Sequence, residues 1–422
     1  MKKLQKIYLG IKGIVQEQGF LPSLLIFSAK LLYYVFEYNL IRVLKHKKLE
    51  VDKKKILFVS ELDFSDNARA LFEYMVSNNF QNRYELVWLV SDPDAFMSHL
   101  GSNIKFIREK RKNARCRTIS AYYHVWTSHK VFFTHNINWA YRENKDQQYI
   151  NLWHGCGYKR AKRLTNPILF DACLVPGELF IETKKEFFQC GEEKIIPLGY
   201  PRYDLLFQNN KNAKNFVEQR KLQSGAKKVV IWMPTFRRSN RLRISDQTLN
   251  SKLDIPLVGT PKDLDELNDF CRSNHIYLII KKHHYQIDYG TQSRSHLLFL
   301  DDSVLEKNDI QLYHLLSLTD GLISDYSSVV FDYLLVDKPI GYVLIDYEEY
   351  KKSRGFVFEN PLQYMPGRHI YKIRDLEGFL YDISQNIDLD QEKRENIKKL
   401  AHIRHQGEYS RSIVNYFGLE GK

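Results

Sequence analysis

The sequence predicts an α/β protein built from two consecutive parallel-sheet halves, and three observations carry that prediction. Its 422 residues exceed what one hydrophobic core usually organises, so two domains are expected. Short apolar runs alternate with helical patterns, the signature of parallel strands covered by helices. The alternation also comes as two series, on either side of a polar, basic stretch around Gln208 to Lys228. Together these give two Rossmann-like domains facing one another across a cleft, at residues 55–215 and 216–422, preceded by a basic amphipathic helical region at 1–54.

The N-terminal region is read from charge and hydropathy. Of a formal net charge of +13, eight units fall before residue 56, where twelve Lys or Arg stand against four acids. Such a segment is suited to an anionic membrane surface. Its apolar run, FLPSLLIFSAKLLYYVFEYNLIRVL, is interrupted by Lys30 and Glu37, and no uncharged stretch reaches the roughly 18 residues of a spanning helix. The two charges share one helical face, which fits a helix lying in the interface, or equally a long amphipathic helix packed on its own protein. No small-residue cleavage site follows the run, so a removable signal peptide is not expected. Five scattered cysteines without a CxxC pair read as reduced thiols of a cytoplasmic protein.

In the first series KILFVSEL reads as a buried strand, ARALFEYMVSN as a helix and YELVWLVS as the next strand, followed by VFFTH, YINLWHG, ACLVPG and KIIPLG. In the second, VVIWMPTF, IYLIIKKHH, HLLFLDD, DGLISDYSS and KPIGYVLI supply strands, with DLDELNDFCRSN a helix between the first two. Each run stops in a polar or glycine-bearing loop, where α/β proteins place their chemistry. A Walker loop, GxGxxG, HExxH and GxSxG are all missing, which removes the commonest nucleotide-dependent and hydrolytic readings. The DxD spacings Asp92/Asp94, Asp263/Asp265 and Asp388/Asp390 read as solvated surface.

Three strand ends carry candidate chemistry. In NLWHGCGYKR, His154 follows an apolar strand, Gly155 and Gly157 permit close backbone approach to a ligand, and Lys159 and Arg160 add cations. In LIIKKHHYQ, Lys281, Lys282, His283 and His284 leave a strand together, a grouping that suits an anion or a solvated loop. In DGLISDYSSVVFDYLL, a strand ends at Ser324, and Tyr326, Ser327 and Ser328 are expected in the first turn of a helix running through Leu335. Free N–H groups and hydroxyls would converge there on a phosphate, although capping alone needs only one serine. Thr235, Arg237 and Arg238 follow another strand, and Lys338, Lys352 and Arg354 lie downstream. The set describes a site for a diphosphate-containing donor.

With those strings on the page, the sequence resembles the CDP-glycerol glycerophosphotransferase family of teichoic-acid primases and polymerases. The resemblance spans roughly residues 55 to 415 and rests on WHG followed by Lys159, LGYPRYDLLF, MPTFR, the basic strand ending in His283, SDYSSVVFDYLLVDKPI and YEEYKKSRGF. It implies a GT-B-like fold and places the general base on His154. It implies donor or phosphate contacts at His283, Ser327, Ser328 and Arg354, within a site that also takes in Asp325, Lys159, Thr235, Arg237 and Lys338. His284 stands where the family usually has proline, so both His283 and His284 are candidates for the donor-site histidine. Cys156-Gly157-Tyr158 replaces the usual Thr-Pro-Leu.

The resemblance also implies a CDP-glycerol or CDP-ribitol donor and an acceptor hydroxyl on a lipid-linked saccharide or polyol-phosphate polymer. CMP would be released in teichoic-acid or capsule synthesis, with no required cofactor and a dispensable metal. The expected location is the cytoplasmic face of the membrane. A GT-B glycosyltransferase using CMP-sialate or a UDP-sugar is the alternative enzyme. A nucleic-acid-binding protein is disfavoured, because the His, Ser and Arg groups concentrate at strand ends rather than spreading over a surface.

Overall fold

The structure, a computed structural model, describes residue 35 and residues 39–43, 49–99, 101–110, 117–160, 166–235, 238–239, 244–245, 255–281 and 292–420. Most of the N-terminal amphipathic region, together with Arg237, His283 and His284, lies outside the described residues. The chain divides into two compact units, one of Met1–Phe64, Asn79–Phe132 and Ile137–Tyr149, the other of Ser65–Asn78, Phe133–Asn136 and Ile150–Lys422.

In the first unit the strands β1 (Asp52–Val59), β2 (Glu85–Val90), β3 (Ile104–Arg108) and β4 (Ser128–Phe133) are ordered β3-β2-β1-β4. β1 pairs parallel with β2 and β2 with β3, in the register Ile56↔Leu86 and Leu86↔Ile104. Continuous apolar runs suit strands covered on both faces, and Ile56, Leu57, Phe58 and Leu86 through Val90 are buried. Phe58 stacks on Trp88 and on Phe132, each with ring centroids 5.6 Å apart. The helix Ile119–Thr127 starts where the Thr118 hydroxyl accepts from the Ala121 N–H at 3.1 Å, satisfying a donor the helix itself cannot.

In the second unit β5 (Gln148–Asn151) pairs parallel through Ile150 and Asn151 with β6 (Ala172–Leu174), which pairs parallel with β7 (Ile195–Ile196). A six-stranded parallel sheet follows from β8 (Lys228–Trp232), β11 (Ile276–Lys281), β12 (Leu297–Leu300), β13 (Gly321–Ser324), β14 (Ile340–Val343) and β15 (Arg368–Ile370). Its order is β12-β11-β8-β13-β14-β15, beside a small antiparallel hairpin of β9 (Arg238–Ser239) and β10 (Ile244–Ser245). One face packs Val230, Leu278, Ile323 and Val343 against Leu264, Leu267 and Cys271 of the helix Pro261–Ser273. The same core includes Leu376, Phe379 and Leu380 of the helix Ile373–Ser384. Each fully buried aliphatic side chain there contributes roughly 1.5–3 kcal/mol. The first of these helices opens with a Thr260–Asp263 capping box and Pro261 in its first turn.

The strands read from apolar runs coincide with β1, β2, β4 to β8 and β11 to β14. β3, β15 and the two hairpin strands β9 and β10 have no counterpart among those runs. The topology matters for chemistry because parallel strands bring their carboxyl ends to one edge. Thr235 after β8, Asp325 after β13 and Asp346 after β14 therefore share the carboxyl-terminal edge of one sheet, whereas Lys338 enters β14 at its amino end.

The C-terminal segment forms the helices Gln391–Ala401 and Tyr409–Tyr416. Between them His402 is buried, with its Nε2 2.8 Å from the Phe331 carbonyl, and burial lowers its pKa to about 4. An unfolded histidine titrates near about 6.5. As pH falls from there toward 4, the unfolded chain takes up a proton that the folded chain refuses, so this stability is complete above 6.5 and is lost on acidification. Urea unfolding is expected to show the loss across this window, with a shallower pH slope for His402→Gln.

Candidate active site

The site is built on the carboxyl end of β5. After Asn151 the chain passes through Leu152 into Trp153, whose φ of +50° is unusual for an aromatic residue and costs backbone energy. Polar side chains hold it there. The Asn151 Oδ1 accepts from the Trp153 N–H at 2.9 Å, and the buried Asn67 amide donates to the carbonyls of Leu152 and Trp153 at 3.2 and 2.8 Å.

His154 comes next. Its ring stacks on that of His135, with centroids 4.2 Å apart and planes within 9°, and it also lies 4.0 Å from the Trp153 ring. Its Nδ1 is 3.3 Å from the Thr134 carbonyl. A proton on Nδ1 satisfies that contact and leaves Nε2 as the basic nitrogen, which has no protein partner among the described residues. The residue keeps some surface exposure, yet the packing around the ring removes most of its water. That desolvation, followed by the neighbouring His135 and Lys184, lowers its pKa to about 3. The imidazole is therefore neutral and able to accept a proton.

Beyond it the loop lies directly on Ser328. A Cβ on Gly155, which has φ +141°, would sit 2.5 Å from the Ser328 Oγ, and one on Gly157 would sit 2.9 Å from the Ser328 Cα. No side chain fits at either place, so the two glycines bring the histidine loop and the serine turn together. The helix behind the serines is shorter than expected, Val329–Tyr333, and Tyr326 is not in its first turn. Tyr326 is buried and donates to Asp346 at 3.0 Å, which removes it from any ligand. Ser327 and Ser328 remain partly exposed, and their hydroxyls have no hydrogen-bond partner among the described residues.

The other candidates gather around this contact. Asp325 is buried and accepts from the Thr235 N–H at 3.0 Å and from its hydroxyl, while Lys159 Nζ donates to the same hydroxyl at 3.3 Å. The Asp325 carboxylate thus anchors the MPTF loop after β8. Tyr158 to Arg160 run antiparallel to Gly355 to Val357, through Val357 N–H to the Tyr158 carbonyl at 2.9 Å and Arg160 N–H to the Gly355 carbonyl at 3.1 Å. This pairing sets Lys159 opposite Phe356, just ahead of which Arg354 holds its guanidinium over the Tyr350 ring at 5.9 Å, with no ion pair among the described residues. Lys338 is not brought to the site. It is exposed at the amino end of β14, where its charge bears on Asp388.

Sequence reasoning gave no role to Arg202 or Asp332. Arg202 donates to Asp66 at 2.6 Å, to the His154 carbonyl at 3.2 Å and to Asp332 at 2.9 Å. The signal was there, because a lone carboxylate in the apolar run VVFDYLL requires a buried partner. The DxD pairs are structural: Asp92 and Asp94 face Arg108, Asp265 pairs with Arg294, Asp388 with Arg394 and Asp390 with Lys393, while Asp263 caps a helix. Among the described residues no group of three or more His, Cys, Asp or Glu side chains is placed to hold a metal ion. No described helix is long and apolar enough to cross a membrane.

With this geometry in place, the sequence signature of the CDP-Glycerol:Poly(glycerophosphate) glycerophosphotransferase family matches residues 40–417. The chain belongs to this family. Among relatives, it is 26% identical over 296 residues to the teichoic acid ribitol-phosphate primase of Bacillus spizizenii, covering 65% of this chain and 70% of that protein. It is 26% identical over 333 residues to the teichoic acid poly(glycerol phosphate) polymerase of the same organism, covering 73% and 78%. Among solved structures, the wall teichoic acid polymerase TagF, in a form soaked with CDPG, superposes with a TM-score of 0.69 at 22% identity over 92% of this chain and 96% of that one. The structural likeness shows the fold, the GT-B-like α/β arrangement expected from the sequence. As a glycerophosphotransferase-family member the chain is a phosphotransferase for polyol phosphate carried on a CDP donor.

The two glycines give a stability test. Gly157→Ala forces the Ser328 backbone to move and is expected to cost about 1–3 kcal/mol in urea unfolding. Gly259→Ala, whose Cβ would meet only Asp263 Oδ2 at 3.6 Å, is expected to cost less than half as much.

Proposed function

We propose that this chain transfers glycerol phosphate or ribitol phosphate from a CDP-polyol to a hydroxyl of a lipid-linked saccharide or a polyol-phosphate polymer. CMP is released, and the product serves teichoic-acid or capsule synthesis. The observation that carries this reading is the contact of Gly155 and Gly157 with Ser328, which joins the loop that follows a neutral imidazole to a turn whose two hydroxyls have no hydrogen-bond partner among the described residues. The acceptor oxygen attacks the β-phosphorus of the donor and passes its proton to His154 Nε2. The phosphorus–oxygen bond to CMP breaks, and CMP leaves with the electron pair as a phosphate, so no strong general acid is required.

Ser327, Ser328, Thr235, Lys159 and Arg354 are assigned to the donor diphosphate, where fixed donors and cations stabilise charge on the equatorial oxygens. His283 or His284 and Arg237 are assigned to the same donor, and Asp325 keeps the Thr235 loop in place. Residues 55–215 serve the acceptor and 216–422 the nucleotide. The basic segment 1–54 rests on anionic lipid at the cytoplasmic face of the membrane.

A base with a pKa near 3 is weak in the empty protein. A bound diphosphate supplies negative charge beside the ring and raises its proton affinity when proton transfer is needed. The acid limb of kcat/KM, which reports the free enzyme, is therefore expected well below the ordinary histidine value of about 6.5, and that of kcat is expected at higher pH.

The test is CMP release from CDP-glycerol and from CDP-ribitol in the presence of a lipid-linked acceptor. His154→Ala is expected to lower kcat by about 100- to 10,000-fold. A His154→Ala rate equal to the parent's would refute the base assignment, and no CMP release from either donor would refute the reading as a whole.

A further inference from the structure

The carboxylate of Asp332 is 1% exposed, within the helix that follows Ser328. A charge so placed is costly unless it is paired and hydrogen-bonded. Here it accepts from Arg202 Nη2 at 2.9 Å and from the hydroxyls of Tyr203 and Tyr313. The Arg202 guanidinium lies over the Tyr313 and Tyr200 rings at 4.8 and 5.4 Å, and the residue is 7% exposed. Its other terminal nitrogen, Nη1, donates to Asp66 at 2.6 Å and to the His154 carbonyl at 3.2 Å. One planar group thus joins the loop that carries the imidazole, the helix behind the two serines and the start of the helix Asp66–Ser77.

We propose that Arg202 is a positioning residue that holds His154 and the Ser327–Ser328 turn at a fixed separation. The inference rests on the transferase reading above, in which those groups act on one phosphorus atom. Three features support it. The guanidinium bonds to the backbone of the base itself, not merely to its surroundings. Arg202 Nη2 also lies at ordinary contact distance, 3.5 Å, from where a Gly155 Cβ would stand, so the guanidinium meets the same loop at a second point. Finally, only a rigid fork can serve Asp66, Asp332 and the carbonyl together, which a lysine ammonium on a flexible stem cannot do. Misplacement of reacting groups by about 1 Å can cost on the order of 100-fold in rate.

The experiment is a double-mutant cycle on CMP release, with rates expressed per folded molecule. Arg202→Lys, which keeps a cation between the two carboxylates, is expected to lower kcat about 100-fold while changing KM for CDP-glycerol by less than about threefold. In a His154→Ala background the same substitution is expected to change the residual rate by less than about threefold, because the group it positions is gone. Arg202→Met combined with Asp332→Asn removes both buried charges and is expected to follow the same pattern. Its thermal stability is expected to stay nearer the parent's than that of Arg202→Met alone.

Equal losses in the two backgrounds, or a kcat within about threefold of the parent for both variants, would overturn the inference. An inactive parent chain would overturn it together with the transferase reading. An active parent with additive losses would overturn the positioning role alone.

Discussion

The arrangement depends on two missing Cβ atoms. Gly155 and Gly157 let the loop after β5 lie against Ser328 at distances no side chain allows, and the pairing of the histidine loop with the serine turn follows from that approach. Without it, the imidazole and the hydroxyls would belong to separate loops of ordinary polarity. The surrounding structure keeps the approach in place by satisfying buried polar groups. Asn67 and Asn151 hold the strained Trp153 backbone, Asp325 anchors Thr235, and the strand-like pairing of Tyr158–Arg160 with Gly355–Val357 fixes the chain on either side of Lys159. Leaving one buried polar group in such a network without its partner typically costs about 1–3 kcal/mol, so its members resist piecemeal change.

The site separates charges by role. Several acids of the described surface are engaged with basic partners, as Asp92 with Arg108 or Asp388 with Arg394. Around His154 the balance differs. Lys184 rests on the Trp153 indole at 4.8 Å and Arg354 on the Tyr350 ring, leaving positive charge for an anion. Burial first, then His135, Lys184 and Arg202, disfavours the imidazolium and keeps this histidine neutral.

Much of this was legible in the sequence, and the limits have physical reasons. Continuous apolar runs marked most strands of the sheets, because strands covered on both faces have little choice of composition. β3 (IKFIR) and β15 (RHI) carry no continuous apolar run, because charged and polar residues interrupt them. Strand ends marked His154, Thr235 and the Ser327–Ser328 turn. Lys338 was misleading, since proximity along the chain says nothing about which end of a parallel sheet a residue occupies. Tyr326 is spaced as a first-turn residue, yet its side chain is buried and its hydroxyl donates to Asp346. Arg202 was hidden because its partners Asp66 and Asp332 are 136 and 130 positions away. His283, His284 and Arg237 lie outside the described residues, and their assignment rests on the family resemblance.

The most direct measurement is a crystal structure of this chain with CDP-glycerol bound. The expected density places the β-phosphate within hydrogen-bond reach of Ser327 or Ser328, with His154 Nε2 facing the phosphorus and Arg354 beside the diphosphate. A diphosphate bound elsewhere, for example at the amino ends of the strands near Lys338, would contradict the account.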